Sequence, residues 1–403
     1  MKGEDYLDKT LSIVLAGGQG ERLYPLTRDR AKPAVPFGGS FRVIDFTLSN
    51  CINSGLRRIE VLTQYKSYSL ARHLRLGWSF LNSSLGEYVN NSPPQQRLSK
   101  AWYQGTADAI FQNIYTLQIE RPEHVLILGG DHIYKMDYRK MISEHIKKKA
   151  AVTVAAQVVP CAEASSFGVI QKDIDGRIVG FQEKPAKPRP MPEDPEKALI
   201  SMGIYVFNAE ILVKRLIDDA RTKGSSHDFG KDILPTMVEN GEPVFVHAFG
   251  GGNSKFTYWR DIGTLDAYWQ SHMDLLDKKS QLNLYDRHWP IFTHQLRLPP
   301  PFFKKSAEIE RSIVSAGSVV SSAKVVDSVV GSDVNISHGA SISGAVIMDR
   351  VRIGANAVIK NAILDKDVVV PEGAVIDAES MGKGSGFTIT KMGIIVIPKG
   401  ESV

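Results

Sequence analysis

The residues with the clearest chemical content follow an apolar run at 11–15, in the stretch Ala16-Gly17-Gly18-Gln19-Gly20-Glu21-Arg22-Leu23. Three glycines let a backbone approach an anion closely and turn its N–H groups toward phosphate oxygens. Arg22 follows at once, and Arg28, Arg30 and Lys32 complete four cations within the 16 residues 17–32. A lone glycine turn would only join a strand to a helix. Glycines with clustered cations predict a polyphosphate site. The stretch is not a Walker loop, because no Gly-Lys-Ser/Thr closes it. It is not a dinucleotide fingerprint either, because Leu23 stands where the third glycine counted from Gly18 would be.

A second candidate is Gly129-Gly130-Asp131-His132, after an apolar run at 125–128. A carboxylate beside a phosphate site suits Mg²⁺, a hard cation that takes oxygen ligands. Asp261, in Tyr258-Trp259-Arg260-Asp261-Ile262-Gly263-Thr264, is the candidate second carboxylate. Glu183-Lys184-Pro185 and Ser201-Met202-Gly203-Ile204-Tyr205 place a lysine and a hydroxyl near two further strand ends, a pairing that suits a sugar phosphate. Read alone, Asp131 is equally a turn aspartate and Lys184 a solvated surface lysine. The chain has no HExxH, no CxxC pair, no GxSxG and no Ser/His/Asp pattern. Chemistry with a nucleophile that arrives already ionised, such as transfer onto a phosphate, needs only positioning and charge neutralisation.

These residues need a scaffold that gathers them at one edge. Apolar β-branched runs at 11–15, 59–62, 125–128, 152–156 and 204–207 alternate with helical patterns such as 106–120 and 138–148. That alternation predicts a mostly parallel sheet with helices on both faces, and such sheets bind ligands beyond the carboxyl ends of their strands. Five prolines make 184–195 an extended surface loop, and 298–303 (LPPPFF) reads as a stiff linker. From about residue 309 the texture changes. Aromatic residues vanish between 310 and 386, and apolar residues recur at Val320, Val326, Val330, Ile336, Ile342, Ile347, Ile353, Ile359, Leu364, Val370 and Ile376. From Ile336 the steps are 6, 5, 6, 6, 5, 6 and 6, so three steps make a coil of 17 residues. A sandwich would need period-2 alternation and turns every 8–12 residues; the sustained near-hexapeptide period predicts a parallel β-helix.

Composition bounds the rest. The 403 residues are 43% hydrophobic and 23% charged, an ordinary globular mixture for two or three domains. A net charge of +5 over that length is too weak for a nucleic-acid binder. Two cysteines, Cys51 and Cys161, make no disulfide framework and fit a reducing setting. The opening MKGEDYLDKT has no apolar core of a signal peptide and no run is long enough to span a membrane, so a cytoplasmic protein is expected.

Taken together, Leu15–Leu23, Arg30-Ala31-Lys32-Pro33-Ala34, Trp102-Tyr103-Gln104-Gly105-Thr106-Ala107-Asp108-Ala109, Gly130-Asp131-His132-Ile133-Tyr134, Glu183-Lys184-Pro185-Ala186, Ser201–Tyr205 and Tyr258–Asp261 closely resemble the bacterial glucose-1-phosphate adenylyltransferases. The motifs keep the family's order and the resemblance covers nearly the whole chain. It implies a Rossmann-like nucleotidyltransferase domain with a mostly parallel sheet over residues 1–245, a connecting segment over 246–303, and a C-terminal left-handed parallel β-helix over 304–403. The implied reaction joins ATP and α-D-glucose 1-phosphate to give ADP-glucose and pyrophosphate, in glycogen biosynthesis. By matching position, Asp131, Arg22 and Lys32 would be catalytic. Gly17, Gly18, Arg22, Lys32, Gly105 and Thr106 would bind ATP. Tyr103, Gly168, Glu183, Lys184 and Ser201 would bind glucose 1-phosphate, with Asp131 and Asp261 holding Mg²⁺.

The resemblance also implies a homotetramer regulated by small anionic effectors, with no nucleic-acid or membrane partner. Arg30, Arg42, Gln64, Trp102 and Lys366 match regulatory or communication positions. Asp29 stands where enterobacterial members have a lysine, and Pro36 where they have a histidine. An acid in the lysine's place implies an effector with one anionic group, such as pyruvate or fructose 6-phosphate, over fructose 1,6-bisphosphate. Two other readings share the scaffold: a UDP- or GDP-sugar enzyme, against which the 102–109 run argues, and a non-catalytic regulatory subunit, against which intact Arg22, Lys32, Asp131, Lys184 and Asp261 argue.

Overall fold

The computed structural model describes residues 5–95, 102–251, 255–277, 280–382 and 386–403; residues 1–4 of the opening segment lie outside them. Among the described residues the first domain is built on a nine-stranded sheet. Its strands are β1 (Thr10–Ala16), β2 (Arg58–Thr63), β3 (Tyr88–Ser92), β4 (His124–Gly129), β5 (Val152–Pro160), β6 (Gly168–Lys172), β7 (Ile178–Glu183), β8 (Lys197–Asn208) and β9 (Val244–Ala248). The order runs β7-β6-β8-β4-β1-β2-β3, with β5 between β8 and β9.

The β3-β2-β1-β4 part is parallel, as the alternating pattern predicts. The run at 204–207 belongs to β8, which lies antiparallel to β4, β5 and β6. Strands β1 and β4 are buried on both faces. Leu11, Ile13, Val125 and Ile127 pack with Ala107, Ile110, Leu212 and Leu216 on one side. Val14, Ala16, Leu126 and Leu128 pack with Ile44, Leu48, Leu70, Leu74, Met141 and Ile142 on the other. Helices therefore cover both faces, and the strands read as continuous apolar runs.

The helical stretch 106–120 is two helices, Thr106–Phe111 and Ile114–Glu120. The break falls at Asn113, whose amide donates to Ala109 O (2.8 Å) and to Tyr103 Oη (2.9 Å). An asparagine that bonds back to its own turn competes with the helical ladder. The helix at 138–148 is present as Tyr138–Lys147.

The C-terminal domain is a parallel β-helix with three faces of five, five and six short strands among the described residues. Its first strand, Phe302–Phe303, pairs with Val319–Val320, so the end of the stretch expected to be a linker already forms the first coil. Ile342, Ile353, Ile359 and Leu364 point into the apolar interior. One inward position differs from the repeat: Val325 is buried and Val326 only half-buried. After a first pairing of Phe302 with Val319, one early coil is a residue shorter, with Glu308 opposite Lys324, Ile313 opposite Val329 and Val319 opposite Asn335. The last coil departs further, because Ile363 pairs with Val396 across the excursion that holds helix Ala378–Met381.

The two domains share an apolar interface. Leu23, Leu26, Val35, Phe37 and Phe46 pack against Val346, Met348, Ile363, Ile394 and Val396. Trp269 Nε1 donates to Gly344 O at 2.8 Å. No helix among the described residues is long and apolar enough to cross a membrane.

Candidate active site

Strand β1 ends at Ala16, and the glycine loop leads from it into the short turn Glu21–Leu23. Gly20 adopts φ +66°, a conformation glycine tolerates, and a Cβ there would lie 3.0 Å from Lys32 Cβ. The loop is thus folded onto the turn Lys32–Ala34. A cleft of about 530 Å³ opens between them, lined by Gly18, Gln19, Arg22, Lys32, Asp131 and Gly263 among others.

Asp131 lies two residues beyond β4, at the carboxyl edge of the parallel strands. The ribbon formed by His132–Tyr134 and Trp259–Asp261 sets Asp261 opposite His132, which brings together two carboxylates that are 130 residues apart in sequence. Lys32 Nζ lies between them, donating to Asp131 Oδ2 at 2.9 Å and to Asp261 Oδ1 at 2.8 Å. Desolvation would raise the Asp131 carboxyl, but the Lys32 ammonium and His132 override it and hold the carboxyl well below the usual carboxylate range. Burial would likewise lower the Lys32 ammonium, and the two carboxylates raise it instead. Arg22 approaches the same point: a Cβ on Gly263 would lie 3.0 Å from Arg22 Nη2 and 2.8 Å from Asp261 Oδ2.

Asp131, His132 and Asp261 offer ligand atoms within 4.8 Å of one another. Two carboxylates already clamped on a cation fit a hard divalent ion, whereas the imidazole of His132 does not favour Mg²⁺. His132 Nδ1 and Trp259 Nε1 are both buried without a hydrogen-bond partner among the described residues, with the two rings 5.0 Å apart. The sequence places His132 in the candidate motif 129–132 but gives it no role, because a lone histidine after an aspartate carries no spacing signal.

The remaining candidates form a second, adjoining wall. Gln64 sits against Gly17, where a Cβ would lie 3.2 Å from Gln64 Cβ, and its Oε1 accepts from Tyr103 N at 2.9 Å. Trp102 is largely exposed and stacks on Tyr65 at 5.2 Å. Gly105 packs under the backbone of Ser226 and His227, where a Cβ would meet His227 O at 2.2 Å. Thr106 Oγ1 donates to Asp228 Oδ2 at 2.9 Å and accepts from Phe229 N. Asp228 also caps the turn Phe229–Ile233, accepting from Gly230 N and Lys231 N. Sequence reasoning passed over this 226–232 segment; its signal was an aspartate at a cap position followed by glycine.

Glu183 ends β7 with its carboxylate tucked against Gly230 and Gly168, where added Cβ atoms would lie 2.5 and 2.9 Å from Glu183 Oε2. Lys184 has φ +45° and pairs with Glu183 at 3.1 Å, yet its side chain is 60% exposed, so no buried lysine stands there. Ser201 is buried at a register break in β8 that spans Ser201–Tyr205, and its Oγ accepts from Gly203 N. Gly203, at φ +70°, faces His132, which links this wall to the carboxylate pair.

Arg30, Arg42 and Lys366 do not join the cleft. They lie at the interface between the domains. Arg30 is paired with Asp365, Lys366 with Asp349, and Arg42 Nη1 donates to Ser69 O and Oγ. Burial lowers both the Arg42 guanidinium and the Lys366 ammonium, against the pull of nearby carboxylates. Asp29 pairs with Arg28 at 3.3 Å.

Comparison with known proteins gives the same outline. Residues 11–278 match the nucleotidyl transferase family model, and residues 302–397 match the GlmU-like C-terminal hexapeptide model. A glucose-1-phosphate adenylyltransferase of Rhodopirellula baltica is 48% identical, covering 98% of this chain and 91% of the relative. Glucose-1-phosphate adenylyltransferase 1 of Vibrio parahaemolyticus is 47% identical, covering 98% of both chains. The Shewanella amazonensis enzyme of that name is 49% identical, covering 97% of this chain and 94% of its own.

Proposed function

The chain belongs to the glucose-1-phosphate adenylyltransferase family, and on that premise we propose that the cleft at Lys32, Asp131 and Asp261 transfers AMP from ATP to α-D-glucose 1-phosphate. An oxygen of the sugar phosphate attacks the α-phosphorus, a new P–O bond forms, and the bond to the β-phosphate breaks to release pyrophosphate. No proton has to be removed, which agrees with a site that offers charge rather than a general base beside a hydroxyl nucleophile.

The observation that carries this reading is the single ammonium held between two carboxylates beside a glycine loop and Arg22. Backbone N–H groups of Gly17 and Gly18 cradle the phosphates, and Arg22 and Lys32 neutralise charge that builds on the leaving pyrophosphate. Asp131 and Asp261 would hold Mg²⁺, which when bound supplies further neutralisation on the phosphate oxygens. Gly105 and Thr106 form the nucleotide wall, while Tyr103, Gly168, Glu183, Lys184 and Ser201 form the sugar-phosphate wall. The experiment is product analysis: purified protein with ATP, glucose 1-phosphate and Mg²⁺ should release ADP-glucose and pyrophosphate in equal amounts. Failure to form either overturns the reading.

The regulation belongs to the interdomain group. Four cations, Arg30, Arg42, Arg72 and Lys366, face three carboxylates, Asp45, Asp349 and Asp365, so one cation is in excess. That supports an effector with one anionic group. The assembly is read as a homotetramer from the family resemblance, and the exposed Phe302 and Phe303 on the first β-helix coil offer apolar surface for contact between copies. Activity at sub-saturating ATP with pyruvate, fructose 6-phosphate and fructose 1,6-bisphosphate tests the first, and light scattering the second.

A further inference from the structure

The catalytic turn is tied to the β-helix by an ion pair more deeply buried than the ion pairs of Lys32 in the cleft. Arg30 Nη2 donates to Asp365 Oδ1 at 2.8 Å and to Oδ2 at 3.0 Å, and the side chains are 5% and 1% exposed. Asp365 is itself fixed: its Oδ1 accepts from Lys366 N, and its N–H donates to Ile397 O in the neighbouring coil. Arg30 Nη1 lies 3.8 Å from Met348 Sδ. On the other side, only Ala31, in an extended conformation, separates Arg30 from Lys32. Pro33 stiffens the turn that follows. There is little slack between a guanidinium held by the β-helix and the ammonium held by Asp131 and Asp261.

We propose that Asp365 is a positioning residue: by holding Arg30 it fixes Lys32 Nζ between Asp131 and Asp261, so that the β-helix sets the geometry of the cleft. The adhesion of the two domains does not require this pair, because the apolar contacts of Phe37 and Phe46 with Val346, Ile363 and Val396 already bury the interface. A buried ion pair is often no more stabilising than apolar side chains of similar volume, and what it adds is direction. Both Asp365 oxygens accept from the single nitrogen Nη2, and charge-assisted bonds of this kind are shorter and stronger than neutral ones, so they hold the guanidinium in place. Misplacement of a reacting group by about 1 Å costs up to about 100-fold in rate.

The inference rests on the role given to Lys32 under the proposed function. The test is a double-mutant cycle on the full-length protein, reading kcat and KM for both substrates in wild type, Asp365→Asn, Lys32→Ala and the double variant. Asp367→Asn, which breaks an exposed pair with Arg350 of the neighbouring coil, serves as control. The expected result is a fall in kcat of at least fivefold for Asp365→Asn, with both KM values within threefold of wild type. In the Lys32→Ala background the same change should cost less than twofold. A smaller fall in the first case, or a larger one in the second, overturns the proposal. Should Asp365→Asn fail to fold, the paired change Arg30→Met with Asp365→Leu removes the grip without stranding a charge, and the same limits apply. A crystal structure of either variant gives a readout free of activity: Lys32 Nζ should lose at least one carboxylate contact, and retention of both within 3.2 Å contradicts the proposal. A wild type that forms no ADP-glucose would refute the assigned activity, while the crystal structure would still judge the ion pair.

Discussion

One ammonium bridging two carboxylates makes Lys32, Asp131 and Asp261 a single unit. Asp131→Asn should lower kcat by roughly 10²–10³-fold while ATP and glucose 1-phosphate still bind, because the lost charge acts chiefly in the transition state. Steady-state kinetics with equilibrium binding checks this, and a variant within a few-fold of wild type would remove Asp131 from the mechanism. Lys184 presents a different case. Its side chain is 60% exposed and reaches Glu183, so a phosphate contact there is worth on the order of 1.5 kcal/mol, or about tenfold in KM for glucose 1-phosphate. Lys184→Ala should leave the KM for ATP within twofold, and equal weakening of both substrates would assign it elsewhere. The glycine loop, Asp131 and Lys32 were legible one by one, since strand ends and clustered cations advertise them. The meeting of Asp131 with Asp261 was expected only through the family resemblance, because it depends on a ribbon of two three-residue strands that no local pattern announces.

Elements hold these side chains through polar groups that burial keeps in one protonation state. Helix Leu265–Leu276 follows directly on the Asp261 strand and buries His272 against Phe37. The His272 ring accepts from Gly38 N through Nε2 at 3.1 Å and meets Tyr268 O through Nδ1 at 2.9 Å, which requires the neutral form. Burial lowers its pKa to about 4. The unfolded chain therefore takes up the proton first, so the contribution is intact above about pH 6.5 and is lost as pH falls toward 4. Over that window it amounts to about 3 kcal/mol, and His145, lowered to about 3 by burial, acts in the same direction. Urea unfolding at pH 7 and pH 4.5 should show this loss, and His272→Gln should reduce it; an unchanged pH dependence in the variant would contradict the account. In the β-helix, a Cβ on Gly354 would lie 2.5 Å from Glu372 N in the next coil. Gly354→Ala should cost about 1–3 kcal/mol by overpacking, read from the denaturant midpoint. Strand identity was readable from apolar runs, and coil length from the repeat. The helix break at Asn113 and the shift from Val326 to Val325 were not, because each depends on which neighbour claims the residue.

At the scale of the whole molecule, a mixed sheet and a β-helix meet over one apolar interface, and the turn carrying Lys32 runs along it. The division into two textures was legible because aromatic residues stop where the hexapeptide period starts. The depth of the contact was not, since Arg30 and Asp365 are 335 residues apart. The two cysteines follow from the same packing. Cys51 is fully buried and burial raises its thiol to about 12, while Cys161 is only half-buried. A thiol reagent at pH 8 should therefore modify one cysteine in the native protein and two after denaturation; fast reaction of both would show that the first domain opens readily. The central claim is adenylyl transfer, and a nucleotide panel tests it most directly. Pyrophosphate release is measured from ATP, UTP, GTP and dTTP in turn, each with glucose 1-phosphate and Mg²⁺. The account predicts release with ATP at least about tenfold faster than with any other nucleotide, a margin of about 1.4 kcal/mol in transition-state binding. Equal or faster release with another nucleotide, or none with ATP, would contradict it.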